Sequence, residues 1–418
     1  MTLLTRNGLA AQLAESAFGG GVNDSPTPRR LGAEVELIPV ESLSGHRCPI
    51  DAEGALSSLP FLRRYGVRQG WYEGCTAKGT PCFSVPEGGT LTFEPGGQLE
   101  YSSPPCRSAS ALLALLRAVV LPLRSAAAAE GIDLLAVGID PFNSAEQAPL
   151  LIHAKRYARM AEYLARRGPA GATMMRQTAA FQVNLDFDDE PWLRWRVLNA
   201  ATPYVIAIFA NSPIYAGQPT DNKSTRAQVW RALDPARTGL PYDEADPVGT
   251  YLEFALSAPA ILYPTVAGEH RPFGEWLNRA NPTAGEWQDH LSTLFPEVRP
   301  RGHMELRSAD SIAPQWYAAP LALTAGILYN PAALRATDDL LGRPDLGLLE
   351  RAGKAGLDDP AIASVAADLF EVALQGCEGL GPGYFHPSDI EQATAFFERY
   401  TRRGRSPADD MLEAAIAA

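Results

Sequence analysis

Four short stretches of the sequence place acidic, amide or basic side chains at even spacings, which keeps them on one side of an extended chain. Three of the four stretches carry glutamate, and the set contains neither histidine nor cysteine. Carboxylate and amide oxygens are the ligands that Mg²⁺ and Mn²⁺ prefer. Magnesium on an acidic sheet indicates phosphate chemistry, in which arginines bind the negative groups of the substrate. The residues are Glu34 and Glu36, Glu94 and Glu100, Gln182 and Asn184, and Glu305 and Arg307.

Each stretch taken alone also fits an ordinary antiparallel sheet with one face in solvent, because such strands alternate apolar and polar residues. Solvated strand faces usually mix lysine, threonine, serine and arginine, whereas carboxylates and amides dominate here. If the four strands share one sheet, their carboxylates converge. Two bare carboxylates ~4 Å apart repel by about 4 kcal/mol at an effective dielectric constant of about 20. Such a cluster persists only when it takes up protons or binds cations.

The periodicity of apolar residues predicts the elements that carry these side chains. Strands and helices intermingle, and the sequence has neither a G-x-x-x-x-G-K-[ST] phosphate loop nor G-x-G-x-x-G after a strand. We therefore predict an α+β fold with an antiparallel sheet. The predicted strands span 31–40, 90–102, 132–139, 179–187 and 299–308, and the second of them is interrupted by Pro95-Gly96-Gly97. The predicted helices span 3–18, 107–129, 151–164, 191–210 and most of 314–418.

The composition excludes several classes of function. The chain has 418 residues, 46% hydrophobic and 20% charged, which is typical of a globular protein with a large core. Its net charge of −12 argues against nucleic acid or an anionic membrane as partner, because both bind basic surfaces. Arg117 and Pro122 interrupt the apolar stretch 112–123, so no membrane span is predicted. Five cysteines without a C-x-x-C pair argue against a disulfide framework, and we predict a cytoplasmic protein that acts on small molecules.

Five motifs occur in an order that resembles the glutamate–cysteine ligases of the plant and bacterial kind, a family that includes the actinobacterial ligases opening ergothioneine synthesis. The resemblance covers about 32–329. It implies a glutamine synthetase-like fold, a saddle-shaped antiparallel sheet with surrounding helices. One catalytic domain would span 1–418, with a mainly helical part over 330–418. The motifs are Glu94-Pro-Gly-Gly-Gln-Leu-Glu100, Arg156-Tyr-Ala-Arg-Met160, Gln182-Val-Asn-Leu-Asp186, Asn211-Ser-Pro213 and Met304-Glu-Leu-Arg-Ser-Ala-Asp310.

The concave sheet face in this family holds two or three Mg²⁺, and the resemblance implies which residues bind them here. Of the two acids in the E-P-G-G motif, Glu100 is the stronger candidate. Gln182 stands where some relatives have a metal-binding histidine, and its amide oxygen is a weaker ligand. Mn²⁺ could replace Mg²⁺ at these oxygens. The implied metal ligands are Glu34, Glu36, Glu94, Glu100, Gln182 and Glu305.

The resemblance also implies roles for four arginines and one amide. Arg307 would contact the phosphoryl group being transferred. Arg156, which without its motif would be interpreted as a surface arginine, would contact that phosphate or the γ-carboxylate of glutamate. Arg226 resembles the arginine that holds a substrate carboxylate, since the planar guanidinium pairs with carboxylates in bidentate fashion. Asn184 would contact ATP, and Arg237 is either a nucleotide contact or an ordinary loop residue.

The implied activity is an ATP-dependent ligation. ATP phosphorylates the γ-carboxylate of glutamate, and the amine of cysteine then displaces phosphate to give γ-glutamylcysteine. One departure from the plant pattern leaves the acceptor open, because Ala260 follows Pro259 where an aromatic residue is expected. The alternatives are a γ-glutamyl ligase with a different amine acceptor and a non-catalytic binding homologue. The retained acids argue against the second alternative.

Overall fold

A nine-stranded antiparallel sheet organises the computed structural model, which describes residues 4–19, 29–76, 79–243, 245–264 and 268–417. Its strands are β1 (Leu31–Glu41), β2 (Tyr72–Cys75), β3 (Pro81–Ser84), β4 (Thr90–Phe93), β5 (Leu99–Ser102), β6 (Ile132–Leu135), β7 (Ala180–Leu185), β10 (Val298–Pro300) and β11 (Met304–Asp310); β8 (Ile214–Tyr215) and β9 (Gln218–Pro219) form a separate hairpin. The order is β10-β11-β7-β1-β5-β4-β3-β2, and β6 pairs with the far end of β1. The predicted α+β class with an antiparallel sheet is confirmed.

The central strand is β1, whose alternating sequence separates two chemically different faces. Ala33, Val35 and Leu37 are buried in the core, while Glu34 and Glu36 point to the opposite face. Residues 31–35 of this strand pair with β7 on one side, residues 34–37 pair with β5 on the other, and residues 38–41 pair with β6. The two glutamates are therefore held in the middle of the sheet, where the register of both neighbouring strands fixes their direction.

Helices surround the sheet in the described part of the chain. They are α1 (Arg6–Gln12), continued by a π-helix (Leu13–Ala17), α2 (Ser58–Gln69), α3 (Ala109–Ala129), α4 (Lys155–Ala165), α5 (Ala170–Gln177), α6 (Pro191–Ile208), α7 (Thr225–Arg231), α8 (Pro235–Thr238), α9 (Pro247–Ser257), α10 (Phe273–Ala280), α11 (Ala284–Leu291), α12 (Ala318–Tyr329), α13 (Pro331–Leu341), α14 (Leu346–Ala355), α15 (Pro360–Leu380), α16 (Pro387–Arg399) and α17 (Pro407–Ala417). Short 3₁₀ turns span Pro314–Trp316, Gly356–Asp358 and Thr401–Arg403.

The apolar side of the sheet is covered by the most hydrophobic helix, α12. Every residue of α12 is buried, because the helix lies between β7 on one side and α15 and α16 on the other. Helices that are apolar all round occur in such fully enclosed positions. The C-terminal helices thus complete the core behind the sheet. That the whole chain is one catalytic domain stays a prediction.

Among the helices of the described residues, α3 is long and apolar enough to cross a membrane by length and composition alone. Its apolar residues pack into the core against α12 and the sheet, and Arg117 pairs with Asp389 on α16 at 3.1 Å. Ser108 caps its first turn by accepting from the N–H of Ala111. Core helices of soluble proteins have the same length and composition, so this helix is weak evidence for a membrane.

Two predicted elements differ from the structure. The segment 299–308 was expected to be one strand, but Gly302 adopts φ of +77° and divides it into the hairpin β10–β11. The segment 132–139 forms a strand only to Leu135. The predicted first helix is present as α1 and the π-helix, while its expected start at Leu3 lies outside the described residues.

Candidate active site

The register of the sheet brings the four polar stretches onto one face, as predicted for strands that share a sheet. Pairing across an antiparallel ladder keeps partners on the same face. The cross-strand pairs are Glu34–Gln182, Glu36–Glu100, Asn184–Glu305 and Thr92–Glu100. The polar face therefore runs continuously over five neighbouring strands, from β11 through β7, β1 and β5 to β4.

The tight turn between β4 and β5 explains the Glu-Pro-Gly-Gly sequence in physical terms. Gly97 has φ of +82°, a conformation that favours glycine, and its N–H donates to the carbonyl of Glu94 at 2.8 Å. A Cβ at Gly96 would lie 2.4 Å from the carbonyl oxygen of Arg176 on α5, so only glycine allows this approach. The Gln98 side chain accepts from the N–H of Gly96 at 3.1 Å. The turn therefore fixes Glu94 relative to the end of α5.

A cavity of about 1080 Å³ lies over the polar face. This volume slightly exceeds the ~300–1,000 Å³ of sites for one drug-sized ligand and suits more than one substrate. Its walls come from α4, α5, α7, α11, the β10–β11 hairpin and the π-helix. Both signs of charge line it: Glu34, Glu36, Glu94, Glu100 and Asp289, and Arg156, Arg226, Arg299, Arg301 and Arg307.

Three glutamates of the cavity are unfavourably placed as carboxylates. Burial, followed by the charge of Glu94, raises the pKa of Glu36 to about 7. Burial raises the pKa of Glu100 well above its ordinary value, and the charges of Glu34, Glu94 and Glu36 add to this effect. The pKa of Glu34 is raised mainly by burial as well. The three carboxylates thus repel further negative charge, and binding of a proton or a cation stabilises them.

Protein donors hold these carboxylates in place. The Glu36 carboxylate accepts from the N–H of Ala180 at 2.8 Å and from the Gln182 amide at 3.0 Å. Asn184 donates to Glu34 at 3.2 Å, and the amide oxygen of Gln182 accepts from Arg307 at 2.6 Å. Gln182 therefore links the acidic part of the cavity to its basic part.

A β-bulge directs Arg307 into the cavity. The register of β11 against β7 shifts between Leu306 and Ala309, which leaves one extra residue on β11. Bulges of this kind redirect a side chain, often near active sites. The guanidinium of Arg307 lies 5.5 Å from the ring centre of Trp230, a cation–π contact that limits its freedom. The arginine is thus held at the wall of the cavity by Trp230 and Gln182.

Arg226 supports this strand rather than pointing only at a ligand. Its Nη2 donates to the carbonyl of Arg307 at 2.7 Å, and its Nη1 lies 3.8 Å from the carboxylate of Asp310. Asp310 in turn accepts from the N–H of Asn211 at 2.8 Å and from the hydroxyls of Ser212 and Ser224 at 2.7 and 2.9 Å. One fully buried carboxylate therefore connects the Asn211-Ser-Pro213 motif and the start of α7 to β11.

An Asp310→Ala variant should lose about 3–5 kcal/mol of stability, because it leaves buried donors and a buried guanidinium without their acceptor. Urea denaturation followed by circular dichroism measures this loss. The exposed Asp339 on α13 provides the control, and Asp339→Ala should change stability by less than about 0.5 kcal/mol. Equal midpoints for the two variants would contradict the role of Asp310.

The predicted substrate arginine Arg156 lines the cavity from α4. Its guanidinium donates to the hydroxyl of Ser292 at 2.5 Å and to the Ser292 carbonyl at 2.7 Å. Ser292 directly follows α11, so the pair joins two walls of the cavity. The structure thus places Arg156 at the cavity, and its predicted contact with substrate remains a prediction.

Helix α11 contains a buried histidine that makes this wall sensitive to acid. The Nε2 of His290 contacts the carbonyl of Ala255 at 2.7 Å, and its ring stacks on Phe273. Burial, followed by the charge of Arg237, lowers the pKa of His290 to about 3. The unfolded chain therefore binds this proton near pH 6.5 and the folded chain only near pH 3. The contribution of neutral His290 to the stability of the fold is fully present above about pH 6.5 and is lost as the pH falls toward 3.

A His290→Gln variant should lose less stability between pH 7 and pH 5 than the unmodified protein, by about 2 kcal/mol, since glutamine takes up no proton. Urea denaturation at both pH values measures the difference. Replacement of the exposed His153 by glutamine is the matched control and should leave the pH dependence unchanged. The same pH dependence in His290→Gln as in the unmodified protein would contradict the assignment.

Glu305, a predicted metal ligand, lies among arginines and does not line the cavity. Arg299 donates to both of its oxygens at 2.5 and 2.9 Å, Arg301 at 3.0 Å and Arg307 at 3.4 Å. Burial would raise the pKa of Glu305, but the charges of Arg299 and Arg307 more than offset it, and the pKa lies well below its ordinary range. A metal ion would have to displace these arginines, so the metal role of Glu305 stays a prediction.

Two predicted nucleotide contacts also lie outside the cavity lining. Asn184 is next to the site, since its side chain donates to Glu34. Arg237 is buried elsewhere, with its guanidinium bound to Thr293 and to the carbonyl of Pro259. From α8, Arg237 holds the segment after α11, and its predicted contact with the nucleotide stays a prediction.

Two arginines at the cavity, Arg299 and Arg301, are not among the residues predicted from the sequence. Both line the cavity and hold Glu305 across the β10–β11 hairpin. Gly302 was the sequence feature that could have revealed them, because a glycine turn there makes 299–308 a hairpin with both arginines beside the turn. The interpretation of 299–308 as one strand left this turn unrecognised.

Comparisons with known proteins identify the family of the chain. Residues 30–417 match the model of a protein family described as glutamate-cysteine ligase family 2. The chain belongs to this family. Its members are ligases, and this protein is therefore a ligase enzyme of the glutamate–cysteine ligase family.

Individual relatives of this family 2 ligase come from bacteria and plants. The chain is 34% identical over 350 residues to the glutamate–cysteine ligase EgtA of Mycolicibacterium smegmatis, a match that covers 80% of this chain and 79% of the relative. It is 30% identical over 350 residues to the chloroplastic glutamate–cysteine ligase of Nicotiana tabacum, covering 78% of this chain and 65% of the relative.

A solved structure shares the fold of the family 2 ligase. A glutamate–cysteine ligase from Francisella tularensis, crystallised in complex with AMP, superposes with a TM-score of 0.56 at 14% sequence identity, over 93% of this chain and 85% of that one. At this identity the comparison concerns the fold alone. It agrees with the glutamine synthetase-like fold that the resemblance implied.

The side chains of this family 2 ligase fit Mg²⁺ in part. Four glutamates line the cavity, and the pKa values of Glu36 and Glu100 are raised by burial and by the charges of neighbouring glutamates. A set of ligands that consists only of oxygen atoms suits Mg²⁺. As placed, no three His, Cys, Asp or Glu side chains of the described residues converge on one ion position. The chemistry of Glu34, Glu36, Glu94 and Glu100 thus fits the ion, whereas Glu305 is occupied by arginines.

Proposed function

We propose that this ligase joins the γ-carboxylate of glutamate to the amine of cysteine, with ATP as co-substrate and γ-glutamylcysteine, ADP and phosphate as products. The observation that carries the proposal is a cavity in which crowded carboxylates face arginines. The names of EgtA and of the plant relatives support glutamate and cysteine as substrates, and the AMP in the Francisella structure supports an adenine nucleotide. The whole chain would act as one catalytic domain.

The reaction would proceed in two displacements. An oxygen of the γ-carboxylate attacks the terminal phosphorus of ATP, the bond to ADP breaks, and γ-glutamyl phosphate forms. The amine of cysteine then attacks the acyl carbon, phosphate leaves, and the amine gives up a proton. Both steps require positioning and stabilisation of charge rather than a nucleophilic side chain.

The acidic part of the cavity would hold Mg²⁺. When bound, the ion neutralises negative charge on the phosphates and orients them. Glu36 and Glu100 are the central candidates for this role because burial and neighbouring charges disfavour their free carboxylates. Glu34, Glu94 and the amide oxygen of Gln182 are the other proposed ligands. The ion would then neutralise carboxylates that otherwise repel one another.

The arginines would bind the anionic groups of the substrates. Arg307 is proposed to contact the transferred phosphoryl group, because the bulge and the Trp230 ring hold its guanidinium at the cavity wall. Arg156 would bind the same phosphate or the glutamate γ-carboxylate from α4. Arg226 would bind a substrate carboxylate, and it also donates a hydrogen bond to the backbone carbonyl of Arg307.

An apolar part of the cavity supports cysteine as the acceptor. Met160, Met174 and Met175 line it together with Tyr157 and Leu262. Methionine sulfur and aromatic edges make favourable contacts with a polarisable thiol. Leu262 thus lies at the cavity in the segment where plant relatives carry an aromatic residue.

Phosphate release from Mg-ATP tests the proposal. The purified protein should release phosphate with glutamate and cysteine together, and mass spectrometry should detect γ-glutamylcysteine in equal amount. No release that depends on cysteine would contradict the proposal. Release with another amine, but not with cysteine, would select a γ-glutamyl ligase with a different acceptor. Arg166→Ala, on the exposed side of α4, is the control and should have normal turnover.

A further inference from the structure

The segment 4–19 precedes the part of the chain that matches the family, which begins at residue 30, and yet it lines the cavity. Its helix α1 continues as a five-residue π-helix, closed by a hydrogen bond from the N–H of Phe18 to the carbonyl of Leu13 at 2.9 Å. Leu13, Ser16 and Ala17 on this turn contribute to the cavity wall. π-helical turns are rare and occur frequently at functional sites. The segment therefore belongs to the site although the family match does not include it.

An aromatic anchor holds the segment in place. Phe18 is 1% exposed, and its ring centre lies 5.1 to 5.9 Å from those of Phe187, Trp192, Trp195 and Tyr251. Aromatic pairs at these distances add to the free energy of burial. Tyr251 itself lines the cavity. The anchor thus couples the position of the segment to a wall residue.

The backbone of the segment is joined to the arginine-bearing hairpin. The N–H of Gly302, in the turn between β10 and β11, donates to the carbonyl of Ala17 at 2.7 Å. A Cβ at Gly302 would lie 3.3 Å from the carbonyl oxygen of Ser16. The same hairpin carries Arg299 and Arg307. The segment therefore packs directly against the element to which the proposed phosphoryl contact belongs.

We propose that residues 4–19 form a cap over the hairpin side of the cavity, which Phe18 positions and which keeps water from the acyl phosphate. This inference rests on the proposed function. Water that reached γ-glutamyl phosphate would attack its acyl carbon, and glutamate and phosphate would form without an amide. With the cap in place the amine of the acceptor is the only nucleophile present, so one phosphate is released for each amide formed. Phe18 acts as a positioning residue, since it touches the cavity only through Tyr251 and the π-helix.

The ratio of phosphate to γ-glutamylcysteine tests the cap. The unmodified protein should give a ratio of 1, Phe18→Ala a ratio of at least about 2, and Phe18→Leu, which keeps an apolar anchor, a value between them. Phe397→Ala is the matched control, because Phe397 is equally buried and stacks on Phe370 among the C-terminal helices. It should lose stability but keep a ratio of 1, which separates a positioning role from loss of stability.

The outcomes distinguish the cap from the proposed function. A ratio of 1 in both Phe18 variants, in a protein that makes γ-glutamylcysteine, would overturn the cap and leave the function intact. Absence of amide product in the unmodified protein would instead contradict the proposed function. If Phe18→Ala does not fold, Phe18→Leu alone decides, since a ratio of 1 there overturns the cap.

Discussion

An Arg307→Ala variant should turn over about 10³-fold more slowly than the unmodified protein, with a smaller change in KM for ATP. The guanidinium is held by Gln182 and Trp230, so its charge is already oriented when the phosphoryl group moves. Preorganised charge of this kind stabilises the transition state more than the bound substrate. Steady-state assays of phosphate release at saturating Mg-ATP, glutamate and cysteine measure the effect.

Two further variants show whether charge or geometry is responsible. Arg307→Lys keeps the charge but lacks the planar fork, and we expect it to recover only a small part of the lost rate. Arg166→Ala should be normal. The circular dichroism spectrum should not change, because Glu305 keeps Arg299 and Arg301 when Arg307 is removed. A near-normal rate in Arg307→Ala would show that β11 does not carry the phosphoryl contact.

A Glu36→Gln variant should change function and stability in opposite directions. The Mg²⁺ concentration that gives half-maximal activity should rise at least about tenfold, because a charged ligand is replaced by a neutral one. The metal-free protein should become more stable by about 1 kcal/mol, since a desolvated charge that Glu94 repels is removed. Activity measured against Mg²⁺ concentration and urea denaturation in EDTA test the two parts separately.

The control for Glu36 is the last residue of the same strand. Glu41 lies outside the cavity, where it accepts from the Ser44 hydroxyl, and Glu41→Gln should change neither quantity beyond experimental error. If Glu36→Gln kept its Mg²⁺ dependence, the acidic part of the cavity would not be a metal site. If it lost stability without metal, the carboxylate would be a structural acceptor for Ala180 and Gln182 rather than an unfavourable charge.

The strand faces could be predicted from the sequence because side chains alternate strictly along an extended chain. The parity of Glu34 and Glu36 on β1, and of Gln182 on β7, is the same in the sequence and in the structure. The Glu-Pro-Gly-Gly turn was also visible, since Gly97 needs a positive φ. Periodicity alone determines these features once a strand is recognised.

The pairing of charges could not be predicted in this way. The three arginines around Glu305 depend on a hairpin whose turn at Gly302 was interpreted as strand, and on a bulge that no periodicity reveals. The role of Asp310 depends on segments nearly 100 residues apart that meet only in the folded chain. Burial of Arg237 likewise follows from tertiary packing. Long-range contacts of single polar groups leave no local pattern.

The central position of β1 limits how the family can change in length. Residues 31–35 pair with β7 and residues 34–37 pair with β5, so insertion or deletion of one residue between Gly32 and Glu36 would turn the following glutamate toward the core. No compensating shift of one neighbour could restore both ladders. Loops such as 42–57 can lengthen or shorten during evolution, whereas this strand can vary in residue type only. We therefore expect relatives that keep the polar face to keep the number of residues in β1, whichever residues occupy its apolar face.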